Sequence, residues 1–206
     1  MNNFNLIIQF SESDTKKINS DGFVLAVVKG YRAVGGVGDT TPIWVALSPF
    51  DKNTITWKSV YGLYASPNPV EFETVISASS TLYPAKLGGT YSFANHAFDH
   101  INVSTDNEYH VINKSNTPLT FGLAQTVTAN DFTNVANPVS AYSVDPNMTE
   151  VFALPPEIVT VFLYKKTVID ATILIEETPA LSVEMADNAT QTIHYNGTHF
   201  VLGPIT

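Results

Sequence analysis

Cysteine is absent from this chain of 206 residues. Thiol catalysis, cysteine-based zinc sites and a disulfide framework are excluded with it. Charge is also scarce: Asp, Glu, Lys and Arg make up 14% of the residues, against roughly 25% in an average globular protein. Arg32 is the only arginine, and the net charge is −9. A protein that grips a nucleic-acid duplex displaces counterions with a lysine or arginine stripe, and this sequence has none, so nucleic acid is rejected as a partner. The same acid excess disfavours electrostatic docking onto anionic lipid. No apolar run approaches the ~20 residues that span a bilayer, so the chain is not expected to be transmembrane. The opening stretch MNNFNLIIQF lacks the basic start and long apolar core of a signal peptide. The sequence therefore reads as soluble, either cytoplasmic, or secreted by a non-classical route or as a mature form.

The chain is long enough to bury roughly 70% of its unfolded surface, so it needs neither disulfides nor a structural metal to fold. Phe4, Leu6, Ile8 and Phe10 alternate with Asn5, Ile7 and Gln9, the period-two pattern of a first strand. Ser11, followed three residues later by Asp14, looks like a helix N-cap, and a short helix is expected over residues 12–19 before Gly22 closes it. Phe23 to Val28 is apolar on both faces, as in a strand covered on each side.

Further on, Asp51-Lys52-Asn53 reads as a tight turn folding Ile43–Phe50 against Thr54–Ala65 as a wide hairpin, with Trp57 in phase with Ile55 and Leu63 as core. Val70 to Ile76 alternates as a half-exposed strand whose outer face carries Glu71 and Glu73. Strand-like runs recur every 8–12 residues, ending with Ile158–Tyr164, Val168–Ile175, Leu181–Met185, Thr190–Tyr195 and Thr198–Leu202. Such spacing points to an all-β fold, a two-sheet antiparallel β-sandwich of the jelly-roll or Ig-like class with one short N-terminal helix. No linker interrupts residues 1–206, which are read as a single domain.

Three motifs bear on chemistry. The glycines Gly35, Gly36 and Gly38 resemble a phosphate-cradling loop, but they lead through Pro42 into another strand and no Gly-Lys-Ser/Thr follows. A phosphate loop must open a helix, so an inter-strand loop is the better reading. The stretch from Gly88 to His110 holds three of the five histidines, and supplies the candidate ligand-binding residues Tyr91, His96, Asp99, His100 and His110. His96 and His100, spaced i and i+4, share one face of a helix and could then hold a metal. In a strand the same spacing spans ~13 Å, and the pair cannot meet on one ion. The expectation is a structured loop that packs Tyr91, Phe93 and Phe98. Third, Asn196-Gly197 lies between alternating runs, the strongest short hairpin signal. A two-residue loop there pairs Tyr195 with Thr198 and sets His194 across from His199, a second candidate metal pair.

Three functions follow. The first is a non-enzymatic binding module, lectin-like or toxin-like, recognising a glycan, membrane-surface or protein ligand through loops, or another small molecule. The second is a metal-dependent enzyme or metal-binding protein using His96, Asp99, His100 and His110, with a divalent metal as the one cofactor in view. The third is a structural protein that buries strand edges against copies of itself as a homo-oligomer.

Overall fold

A computed structural model describes residues 2–30, 41–165, 168–174, 179–187 and 189–205. β1 (Asn3–Gln9) leads through α1 (Glu12–Ser20) into β2 (Val24–Lys29). Two short strands, β3 (Thr41–Pro42) and β4 (Val45–Leu47), precede the longest, β5 (Lys52–Ser66). The middle of the chain carries β6 (Ser80–Leu82), β7 (Gly89–Ala94), β8 (Ala97–Val103) and β9 (Glu108–Asn113). Then come β10 (Leu119–Ala129), β11 (Phe132–Pro138), β12 (Tyr142–Val144) and β13 (Thr149–Ala153). The last are β14 (Ile158–Tyr164), β15 (Ile173–Leu174), β16 (Leu181–Glu184), β17 (Thr190–Tyr195) and β18 (Phe200–Leu202). Among the described residues the protein is all-β with one helix, and none of them forms a helix long and apolar enough to cross a membrane.

The first strand and helix form for the reasons their residues suggest. Phe4, Leu6 and Ile8 are buried on one face of β1. Ser11 caps α1, its hydroxyl accepting the Asp14 N–H at 3.1 Å. Gly22 takes φ +74° and turns the chain into β2. In β2, Leu25 and Val27 enter the main core while Ala26 and Val28 enter a smaller one with Ile43, Phe162 and Leu174. The strand is therefore covered on both sides, as its unbroken apolar run requires.

Among the described residues the strands form four sheets rather than two, and not all pairings are antiparallel. The largest runs β11-β10-β5-β1-β17-β18, with β6 on β5 and β12 on β10. A second runs β13-β9-β7-β8, a third β16-β14-β2-β4, and β3 pairs with β15 alone. β1 lies parallel to β17, and β7 parallel to β9. The first three sheets meet in one core that includes Leu6, Val27, Trp57, Phe93, Phe121 and Val161.

Two expected elements take other forms. Ile43–Phe50 and Thr54–Ala65 do not make a hairpin. β4 pairs with β2, while β5 pairs with β1 on one edge and β10 on the other. The turn does exist, because Asn53 binds both the N–H and the carbonyl of Phe50 at 3.0 and 2.8 Å. It sends β5 along β1, and the Phe10 N–H bonds Asp51 across that junction at 2.9 Å. Residues 70–76 form no named strand: Glu73 sits at φ +62° and Thr74 N–H returns to the Glu71 carbonyl at 3.1 Å. Their backbone bonds run to Ala171 and Ile173, and Glu71 and Glu73 stay exposed. The segment with Gly35, Gly36 and Gly38 lies outside the described residues.

Candidate functional site

Residues 88–110 are not helical: they are mostly extended, in β7, β8 and the start of β9, joined by a turn at residues 95–96 and a bend at 104–107. β7 and β8 form a tight hairpin in which Ala94 pairs Ala97 and Phe93 pairs Phe98. Its two turn residues, Asn95 and His96, take φ +50° and +62°, as the twist of a two-residue hairpin demands. His96 therefore occupies a turn tip, where its carbonyl accepts the Ser80 hydroxyl at 2.6 Å. Asp99 pairs with Ser92 while His100 pairs with Tyr91, so these neighbours point to opposite faces of the sheet. Tyr91 is buried and its hydroxyl accepts the Lys86 N–H at 2.8 Å; the His100 ring lies 5.2 Å from its ring. His96, Asp99, His100 and His110 thus do not converge, and the metal set expected from i, i+4 spacing is not formed.

His110 finds other company. Tyr109, Val111 and Asn113 turn one face of β9 into the core, leaving Glu108 and His110 on the other. The bend before β9 brings Asp106 alongside. His110 Nε2 lies 3.4 Å from Asp106 Oδ2 and 3.7 Å from Glu108 Oε2. Among the described residues, these three are the one group of ligand-type side chains whose donor atoms all lie within 4.8 Å of one another. Hydrogen bonding with Ser104 first, and then the adjacent His110, holds the Asp106 carboxyl below its usual value.

The C-terminal histidines do not face each other. Tyr195 pairs with Phe200 and His194 with Val201, so the loop has four residues rather than two. Asn196 makes it so: its side-chain oxygen accepts the N–H groups of Thr198 and His199 at 3.1 and 3.0 Å. The register moves by two, which keeps Ile193 and Phe200 on the core face but drops His199 into the loop. His199 bonds Thr198 and Asn196, whereas His194 Nδ1 lies 2.9 Å from the Gly203 carbonyl.

A cleft of about 600 Å³ opens beside β13 and the segment 139–143. Apolar walls come from Leu123, Val139, Phe152, Pro155 and Pro156; Ser140, Ser143 and Glu150 supply polar groups. Tyr142 is 51% exposed at the rim, with its ring 5.7 Å from that of Phe152 in a T-shaped arrangement. Gly122 lets the 139–143 wall press against β10, since a Cβ there would overlap the Ser140 carbonyl. That carbonyl accepts the Tyr64 hydroxyl at 2.7 Å, and the Ser140 hydroxyl accepts the Leu123 N–H at 2.9 Å.

The Pro155-Pro156 wall leads directly into a buried charged cluster. Glu157 forms a buried ion pair with Lys29, whose side chain is 1% exposed. The same carboxylate accepts from Trp57 Nε1 at 2.9 Å, Tyr61 Oη at 2.9 Å and Ser59 Oγ at 3.2 Å. The Lys29 ammonium also sits over Trp44 and Trp57, 5.0 and 4.8 Å from their ring centroids. The two ends respond differently to burial. Desolvation dominates for Lys29 and lowers its pKa. Desolvation raises the Glu157 carboxyl too, but the charge of Lys29 and the bonds from Lys29, Trp57 and Tyr61 outweigh it and hold the pKa down. With more donors than its partner has acceptors, the carboxylate is the better satisfied end. Trp57, half of this cage, is core, as its phase with Ile55 and Leu63 implies.

Comparison with family models, with characterised proteins and with solved structures finds no match to this chain.

Proposed function

We propose that this protein is a non-enzymatic, lectin-like binding module, a single sandwich-like domain whose cleft takes a neutral glycan. The observation that carries this reading is the cleft at Tyr142. Its volume of about 600 Å³ falls within the roughly 300–1,000 Å³ of small-ligand sites. An exposed tyrosine ring offers a flat apolar face, and the Ser140 and Ser143 hydroxyls with the Glu150 carboxylate offer hydrogen-bond partners beside it. A sugar presents both kinds of surface at once, C–H faces and hydroxyl edges. The net charge of −9 favours neutral over acidic saccharides.

The test is a screen against an array of neutral glycans, followed by calorimetric titration of the best saccharide with wild-type protein and Tyr142→Ala. Saccharide binding weakened at least tenfold by Tyr142→Ala, with unchanged thermal stability, is expected. A blank array, or equal binding by the variant, overturns the reading.

A further inference from the structure

We propose that Asp106, Glu108 and His110 form a divalent-metal site of the zinc class on the face of the second sheet that points away from the core. The site adjoins the glycan cleft but shares no residue with it: His110 pairs with Val151 of β13, and Val151 lines the cleft together with Glu150 and Phe152.

Three observations converge. First, the donor set is one imidazole and two carboxylates, a mixed nitrogen and oxygen set suited to zinc and its first-row neighbours rather than to magnesium or calcium. Second, the spacing is right. Bonds of 2.0–2.2 Å from one ion to tetrahedral ligands place the ligand atoms about 3.3–3.6 Å apart, and His110 Nε2 stands 3.4 and 3.7 Å from the two carboxylate oxygens. Third, His110 Nε2 is itself shut off from solvent and has no well-aligned hydrogen bond, only the longer approaches of the two carboxylates, although the imidazole as a whole is 24% exposed. A buried ring nitrogen without an aligned hydrogen bond is costly, and the groups nearest this one are the two carboxylates at 3.4 and 3.7 Å. An ion there would satisfy all three groups at once.

The fold explains why these three meet. Glu108 and His110 alternate onto one face of β9 with Tyr109 between them turned inward. The bend at residues 104–107 is held by the Ser104 hydroxyl, which accepts the Asp106 N–H at 3.0 Å, and it swings Asp106 over that face. Strands run on both sides of His110, through Thr90 of β7 and Val151 of β13, so its backbone is fixed. Three protein ligands leave a fourth position for water or for a donor from another molecule.

Metal-stripped protein is titrated with zinc chloride by calorimetry at pH 7.5, and the imidazole nitrogens are followed by NMR. One zinc per chain is expected, with the His110 Nε2 resonance shifting and those of His96, His100, His194 and His199 unmoved. His110→Ala and Asp106→Asn should each weaken binding at least tenfold, while magnesium fails to compete. Stoichiometry far below one, a shift centred on another histidine, or full affinity in folded His110→Ala overturns the proposal. If His110→Ala does not fold, the wild-type NMR shift decides. Because no saccharide enters these measurements, their failure leaves the glycan reading standing, and the reverse holds as well.

Discussion

Replacing Glu157 with glutamine removes a charge from the interior while keeping the shape of the side chain. The Lys29 ammonium, 1% exposed, then stays buried without its counter-charge, which costs roughly 3–5 kcal/mol. A ceiling exists because the lysine can give up its proton instead. From a reference value of about 10.4, neutralisation at pH 7 costs about 4.6 kcal/mol at 1.36 kcal/mol per unit. The indoles of Trp44 and Trp57, 5.0 and 4.8 Å from the ammonium, offset part of this, on the order of 0.5–2 kcal/mol. A loss of about 3 kcal/mol is therefore expected. In urea, at a slope of roughly 2–3 kcal/mol per M, the midpoint should fall by about 1–1.5 M.

The pH dependence carries a second signature. In the variant the folded protein gives up the Lys29 proton at a lower pH than the unfolded chain does. The deficit should therefore shrink as pH rises towards 10. Adding Lys29→Met to Glu157→Gln should restore most of the stability, since no buried charge remains. A single variant within 1 kcal/mol of wild type, or a double variant worse than the sum of its parts, would refute this account of the pair.

The same carboxylate shapes the acid limb. Its folded pKa lies below the ordinary 4.5, so its contribution is complete above pH 4.5 and drains as pH falls through the lower folded value. Glu157→Gln should flatten that limb in acid titrations followed by tryptophan fluorescence, even though Asp170, raised by burial, works in the opposite sense. Gly122→Ala should be destabilising by about 1–3 kcal/mol or more, because its Cβ meets the Ser140 backbone. Gly22→Ala, where nothing lies within 4 Å, should cost only the strain of positive φ, about 1 kcal/mol. Thermal melts that rank the two the other way would refute the packing argument at the cleft wall.

Local chemistry made several features legible in advance. Alternation of Phe4, Leu6 and Ile8 is enough to face β1 inward, and Ser11 with Asp14 is enough to start α1, because each acts within a few residues. Thr190–Tyr195 and Ile158–Tyr164 likewise match β17 and β14 residue for residue. The candidate site was only partly legible. His110 was in view, but Asp106 and Glu108 gain their meaning from a bend and a strand face. His96 and His100 looked like a pair until the positive φ of Asn95 and His96 put His96 in a turn and left His100 in β8. Asn and His tolerate that conformation without announcing it as Asn-Gly would. At the C-terminus, Asn196-Gly197 did announce a turn, yet the Asn196 side chain chose a longer loop and moved His199 out of register.

What the sequence by itself determined is therefore short in range: strand phase, the helix cap, the apolar double face of β2, and the exclusion of thiol chemistry. Tertiary structure alone decided which strands became neighbours. Nothing in the alternation of β5 says that β1 and β10 will flank it, since a strand edge offers the same N–H and C=O groups to any partner. Nor does any spacing predict that Lys29 and Glu157, 128 residues apart, will share one buried site. Their pairing exists because three sheets close on a common core and β2 lies beside β14, which Glu157 immediately precedes.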